Sequence, residues 1–318
     1  MEPVVGIDVA KAKLAVVLGM ATGKRLHKSI ANTAAGHQEL LRWLTRHAPG
    51  ALAVGLEATG GYQEAVALAL HDAGHRVSVL NPAAVEAFGR SQLRRAKTDP
   101  TDADLIADFM RAHAPAPWQP APPETRQLQA LVRRLDALLE MQVQERNRLE
   151  LAAAIVRPSI QKSVKQLTAQ IVTIRRQIRT HIDQFPTLRA QRELIVSIPG
   201  LGEATAAIVL GELQNFARFT SARQLAAFTG LVPAIRRSGT SVRGRGPLSK
   251  LGSARLRRAL YLPALAALRC NPPLQAFAAR LRAAGKLKMV IIAAVMRKLI
   301  HQVYGVLHSQ RPFDPHHA

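Results

Sequence analysis

The chain has 318 residues, 44 Lys and Arg against 21 Asp and Glu, a formal net charge of +23 and a hydrophobic content of 48%. That is enough apolar material for a sizeable core, divided over two or three domains, and the cation surplus calls for a polyanionic partner, most simply nucleic acid. The one cysteine, Cys270, excludes an intramolecular disulfide and any multi-cysteine metal site.

The charge is uneven. Residues 1–115 hold 13 basic and 11 acidic side chains, and the remainder holds 31 and 10, so the binding surface is expected mostly in the C-terminal two-thirds. Cys270, at a helix end, reads as buried filler. No basic start followed by an apolar run opens the chain, and the apolar segments Ala259–Leu268 and Met289–Met296 are too short to span a bilayer. The expectation is a cytoplasmic protein with no membrane partner.

Val4-Val5-Gly6-Ile7-Asp8-Val9-Ala10 is a short apolar run carrying one acid, and Leu52-Ala53-Val54-Gly55-Leu56-Glu57-Ala58 repeats the pattern. Each reads as a buried strand with a carboxylate near its end. A charge in such a place is expensive unless it meets a cation or a partner. Strands are predicted over 4–9, 14–18 and 25–30, with turn signals near Ala21-Thr22-Gly23. A helix over 37–44, a strand over 52–56, a helix over 62–73, a strand over 77–80 and a helix around 83–88 follow. Three strands, then strands alternating with helices, predict a mixed α/β sheet covered by helices. This is the order of an RNase H-like nuclease fold, in which acids from the first strand, the fourth strand and a later helix converge on one edge.

That later helix begins at Lys97-Thr98-Asp99-Pro100-Thr101-Asp102-Ala103. Pro100 suits a first helical turn, and the spacing puts Asp99 and Asp102 on one helical face. Taken alone, Asp99 reads as well as an N-cap and Asp102 as an acid at the positive end of the helix dipole. With Asp8 and Glu57 they would form a four-carboxylate cluster, the all-oxygen site that Mg²⁺ or Mn²⁺ prefers. Arg90, Arg94, Arg95 and Lys97, directly before these acids, read either as a phosphate-holding loop or as a solvated one.

After the Pro-rich break over 114–123, apolar residues recur at Leu128, Leu131, Leu135, Leu138 and Leu149, and beyond Pro158 at Leu167, Ile171, Ile174, Ile178, Ile182 and Phe185. Both sets follow the spacing of a coiled-coil seam, formed by two helices that fold back on each other or pair between subunits. Ser197-Ile198-Pro199-Gly200-Leu201-Gly202-Glu203 has the form of a helix-hairpin-helix, whose Gly200 and Gly202 would let backbone NH groups meet a phosphate; a structural helical hairpin is the alternative. From Phe228 to Gly246, small hydroxyls, glycines and arginines alternate with little bulk. The stretch reads as a polar loop for phosphate contact through Arg236, Arg237, Arg243 and Arg245, or as a basic loop gripping DNA without chemistry. Lys250, Arg255, Arg257 and Arg258 extend the basic surface, and two closing helices follow. His71 and His75 read as surface residues.

Taken together, Gly6-Ile7-Asp8-Val9-Ala10-Lys11, Glu57-Ala58-Thr59-Gly60-Gly61-Tyr62, Asn81-Pro82, Lys97-Thr98-Asp99 with Asp102-Ala103, Ile198-Pro199-Gly200-Leu201-Gly202 and Ser238-Gly239-Thr240-Ser241-Val242-Arg243-Gly244 resemble the DEDD-type transposases of the IS110 insertion-sequence family. The motifs stand in family order over essentially the whole chain. The resemblance implies a RuvC-like catalytic domain over 1–115, a coiled-coil oligomerisation region over 116–187 and a C-terminal transposase domain over 188–318. It implies that Asp8, Glu57, Asp99 and Asp102 hold Mg²⁺ and that Ser238, rather than Ser241, is the nucleophile forming a covalent phosphoserine link to DNA. Implied partners are donor and target DNA, an element-encoded bridge RNA that selects both, and further copies of the chain in a dimer or tetramer. The competing reading is a hydrolytic RuvC-like nuclease or Holliday junction resolvase.

Overall fold

The computed structural model describes residues 2–58, 60–92, 99–238, 242–249 and 251–316, without the side chains of 99–100, 234–238 and 242–247. The chain forms two compact units, Met1–Pro120 and Ala121–Ala318.

The first unit is built on strands β1 (Val4–Val9), β2 (Lys13–Gly19), β3 (Arg25–Ala31), β4 (Ala53–Glu57) and β5 (Arg76–Leu80), in the order β3-β2-β1-β4-β5. The β1–β2 and β2–β3 pairs are antiparallel, whereas β1–β4 and β4–β5 are parallel. Helices α1 (Ala34–His47) and α2 (Glu64–Asp72) bury Leu40, Leu44, Val66 and Leu70 against Val5, Ile7, Val54 and Leu56 on one face. On the other face, α3 (Pro82–Ser91) and α4 (Asp99–His113) bring Val85, Ala103, Ile106, Ala107 and Met110 onto Val4, Val17 and Leu80. The predicted mixed sheet between helices is therefore present, with strands that read as apolar runs because both faces are covered.

Two histidines are structural, one of them expected at the surface. His75 is 9% exposed, not a surface residue, and its Nδ1 accepts a hydrogen bond from the Leu52 N–H at 3.2 Å; His37 is 6% exposed beside Asn32, with its Nε2 2.8 Å from Oδ1. Burial holds both imidazoles below their ordinary value of 6.5. The unfolded chain then takes up protons below pH 6.5 that the folded one refuses, so stability is greatest above that pH and falls as pH drops through it. Thermal melts at pH 7.5 and 5.5 are expected to show the lower midpoint at 5.5. His75→Asn, whose amide oxygen can accept from Leu52 without titrating, is expected to narrow the difference.

The second unit begins with a long antiparallel hairpin of α5 (Pro123–Leu151) and α6 (Arg157–Gln184). Of the two arrangements open from spacing, the helices fold back on each other. Gln142 Nε2 donates to Thr168 Oγ1 at 2.8 Å across them, and Leu128, Val132, Ile178 and Ile182 join the unit's core. At the far tip, Leu151 and Ile155 are 93% and 90% exposed. The rest packs around α12 (Lys288–Ser309), which buries Ile291, Val295, Leu299 and Val303 among α7 (Pro186–Val196), α8 (Glu203–Leu213), α9 (Ala222–Phe228), α10 (Ala254–Cys270) and α11 (Pro272–Ala283). α12, one of the two closing helices expected, has 22 residues and by composition is long and apolar enough to cross a bilayer, unlike the apolar segment 289–296 taken alone; its apolar positions serve the core. Cys270 is exposed rather than buried.

Candidate catalytic centre and nucleic-acid surface

The geometry around the acids starts from two glycines. Gly6 and Gly55 are register partners on parallel β1 and β4, and each stands two residues before an acid, so Asp8 and Glu57 are level and share the glycines' face of the sheet. That face is covered by α4. A Cβ on Gly6 would overlap the Ala103 carbonyl oxygen and lie 2.6 Å from the Ala107 nitrogen, and one on Gly55 would lie 2.5 Å from Met110 Cγ. Gly6 thus faces the first half of the helix. Gly19, level with Val4 at the other end of the sheet, faces the guanidinium of Arg111, which donates to the Met20 carbonyl at 3.3 Å. The helix therefore runs opposite to β1, and its first turn, with Asp102, stands at the end of the sheet where Asp8 and Glu57 emerge. All three acids are half-buried.

A clamp that sequence reasoning missed holds this helix. Arg25 of β3 donates from Nη1 to Asp104 Oδ1 at 2.7 Å and from Nη2 to Asp108 Oδ1 at 2.5 Å, and His27 Nε2 is 3.1 Å from Asp104 Oδ2. Burial raises the Asp104 carboxyl, but the hydrogen bonds from Arg25 and His27 outweigh it and hold the group below its ordinary range. The legible signal was the acid pair at i and i+4 on one helix face.

Among the described residues no group of three or more His, Cys, Asp or Glu stands in metal-ligand geometry, and the Asp99 side chain lies outside the description. What bears on a metal is the donor set. The topology brings the carboxylates of Asp8, Glu57 and Asp102 to one end of the sheet, and hard oxygen donors suit Mg²⁺ or Mn²⁺ rather than a thiophilic ion.

The stretch expected as a glycine-rich loop is a two-stranded antiparallel ribbon, β6 (Pro233–Ser238) and β7 (Val242–Leu248). Arg236 pairs in register with Gly244, Arg237 with Arg243 and Ser238 with Val242. Ser238 is thus the last residue of β6, directly before residues 239–241, which lie outside the described residues. The small residues that suggested a loop are compatible with a ribbon because Ile235, Val242 and the arginines keep extended backbone on both strands. Arg94, Arg95, Lys97 and Lys250 also lie outside the described residues.

Comparison with known proteins gives the family. A DEDD transposase model matches residues 5–157, and the model described as "Transposase IS116/IS110/IS902 family" matches residues 192–279. The pilin gene-inverting proteins of Moraxella bovis and Moraxella lacunata are 31% and 32% identical, each over 98% of this chain and 97% of the relative. The chain belongs to the IS110/IS116 transposase family. A mini-circle putative transposase for IS117 from Streptomyces coelicolor is 26% identical over 98% of this chain and 95% of its own.

In this transposase the cations expected after residue 250 have work inside the fold. Arg255 Nε stands 2.7 Å from Asp136 Oδ2 as a close ion pair off the N–H axis, and its Nη1 donates to Glu212 Oε1 at 3.2 Å. Arg258 reaches Glu140 at 2.8 Å and Asp136 at 3.3 Å, and Arg257 donates to the Thr229 carbonyl at 3.0 Å. Glu212 is 9% exposed. Reversing the charge of Arg255 would set three acids against one another around the buried Glu212, with Arg133 at 3.8 Å as its remaining cation, at about 3 kcal/mol. Arg255, Arg257 and Arg258, expected to extend the basic surface, also form a bracket between α10, α5 and α8, and the Arg258 side chain stays 60% exposed. Gly200, between α7 and α8, has φ +102°, and its Cβ would lie 2.8 Å from that of Ala267. Packing thus accounts for this glycine. Gly202 is the N-cap of α8 and meets nothing within 4 Å at its Cβ position.

Proposed function

We propose that the transposase is a DNA recombinase whose first unit is a RuvC-like, RNase H-like catalytic domain and whose Ser238 cuts and rejoins DNA through a phosphoserine link. The observation that carries the first half is the level placement of Asp8 and Glu57 under the first turn of α4. The strand order β3-β2-β1-β4-β5 with an antiparallel β2 supports the same reading. Asp8, Glu57, Asp99 and Asp102 are the residues that would hold divalent metal. Bound there, Mg²⁺ supplies neutralisation of the charge that develops on attacking and departing oxygens.

On this reading the Ser238 hydroxyl oxygen bonds to a DNA phosphorus as its proton passes to a base, and the ester bond to the departing oxygen breaks to leave a strand end with a hydroxyl. The new phosphoserine ester keeps the energy of the bond broken. A hydroxyl from another strand can therefore attack it, restoring the serine and joining the strands without ATP. The ribbon position of Ser238, flanked by Arg236, Arg237, Arg243 and Arg245, suits contact with phosphate. The guide is an element-encoded bridge RNA, which would leave the protein to read backbone and shape. Copies associate through the apolar tip of the α5–α6 hairpin, where Leu151 and Ile155 stand in water. The place of action is the cytoplasm.

The test is a denaturing gel of the transposase with Mg²⁺, labelled element-end and target DNA and RNA transcribed from the element's flanks. Wild type and Ser241→Ala are expected to retain a labelled strand on the protein, and Ser238→Ala to lose it. Cut DNA with no adduct in wild type would instead establish the hydrolytic nuclease.

A further inference from the structure

A cavity of about 760 Å³ lies in the second unit between α11, α12 and the segment 310–314 that follows α12. Its α12 wall is formed by Lys298, His301, Gln302, Gly305 and Ser309, the three-four spacing that puts side chains on one helix face. The volume is in the range of sites that enclose a small organic ligand.

The chemistry of the walls is anionic-ligand chemistry with a flat apolar component. Arg280 and Lys298 stand over the Phe277 ring at 5.9 and 5.6 Å from its centroid, so two cations are held in place by an aromatic face. Arg311 adds a third positive charge, and Asp314 is the acid among the lining residues. Phe313 gives a second aromatic wall. Its backbone N–H donates to Ser197 Oγ at 2.8 Å, which ties the segment to the end of α7. His301 Nε2 is buried with no hydrogen-bond partner in the described structure. Burial, then Arg297, Lys298 and Arg223, holds this imidazole below its ordinary value and so uncharged near neutrality.

Gly305 points to an occupant. A glycine inside a helix costs about 1 kcal/mol relative to alanine, and such a residue usually keeps room for a close neighbour. Here a Cβ would meet nothing within 4 Å. The protein's own packing does not require glycine at this position, whereas a side chain there would stand in the cavity.

We propose that this cavity receives one nucleotide of a single-stranded stretch of nucleic acid, its phosphate on Arg280, Lys298 and Arg311 and its base against Phe313. The assignment rests on the family's action on DNA and goes beyond the proposed catalytic residues. A phosphate-bearing nucleotide is the shared chemistry; a strand is preferred to a free nucleotide because the cations sit at exposed positions where a backbone can continue past the pocket.

The test is anisotropy of the full chain in EDTA at elevated salt, where sequence-independent phosphate contacts are weakened, with fluorescein-labelled 12-nucleotide single-stranded DNA and RNA and a 20-base-pair duplex as probes. Gly305→Leu is expected to weaken single-strand binding about tenfold, the loss of one stacked base, with duplex affinity and melting midpoint unchanged. The paired variant Arg280→Ala, Lys298→Ala, at exposed positions, is expected to do the same and covers the case in which Gly305→Leu fails to fold. Wild-type single-strand affinity in a folded variant would overturn the site. Saturable binding of adenosine monophosphate that depends on Gly305, with no such dependence for either 12-mer, would overturn the strand in favour of a free nucleotide. Because the assay contains no metal and reads no cleavage, its result is independent of whether Ser238 forms an adduct.

Discussion

Gly6→Val is expected to be among the most damaging substitutions in the first unit. The β1 backbone at Gly6 lies directly under α4, and an added Cβ would overlap the Ala103 carbonyl oxygen and press on the Ala107 nitrogen at 2.6 Å. Both alanines are about 1% exposed, so the helix backbone cannot move aside without leaving the sheet. Overpacking a core commonly costs about 1–3 kcal/mol when side chains can adjust. Against backbone the loss is expected to exceed about 3 kcal/mol, a large share of the roughly 5–15 kcal/mol that holds a domain folded. Gly55→Ala is the internal control, because its Cβ would meet Met110 Cγ and Sδ at 2.5 and 2.7 Å, atoms of an unbranched side chain that can rotate away where helix backbone cannot. It should cost about 1 kcal/mol. Denaturant midpoints of the two variants check this; equal losses would refute the account of how α4 is seated. Loss of activity should follow the Gly6 lesion, since the helix that carries Asp102 is the element displaced.

Most of the first unit was legible because its signals are local. Runs such as Val4-Val5-Gly6-Ile7 can bury both faces of a strand, and the acids that end them are conspicuous by their cost. What the sequence did not reveal was that Gly6 and Gly55 are level and that α4 uses both as its bed, a fact of register between segments nearly fifty positions apart. The same limit applies to Arg25, whose partners Asp104 and Asp108 arrive from the far end of the unit. Arg255 and Arg258 show the same limit: read along the chain they are a basic patch, and only in space do their partners Asp136, Glu140 and Glu212 appear. His75 was misplaced because a polar residue at a helix end is ordinarily wet, whereas here the Leu52 N–H gives it a partner in the core. The ribbon at Ser238 escaped because glycine and hydroxyl content weigh against strand propensity, which tertiary pairing overrides.

Asp8→Asn is expected to abolish strand cleavage and leave the fold intact. The amide is isosteric with the carboxylate, and Asp8 is half-buried at the open end of β1, so the change removes a charge without making a cavity. A carboxylate that positions metal carries several kcal/mol of charge stabilisation at the transition state, and about 4 kcal/mol corresponds to about a thousandfold in rate. Asp104→Asn provides the contrast. It lies two residues beyond Asp102, but roughly 200° further around the helix, where it binds Arg25 and His27 instead of facing the sheet end. Its loss should lower the melting midpoint through a partly exposed ion pair worth about 1 kcal/mol, and its folded fraction should keep cutting. Adduct yield and thermal melts on the same preparations separate the two roles. Cleavage that survives Asp8→Asn would remove the carboxylates from the chemistry, whereas equal loss of cleavage in both variants would mean that the clamp and the reaction centre are one site. Asp102 and Asp104 are two positions apart on α4, and on this account the side of the helix on which each stands divides the proposed metal-holding role from holding the fold.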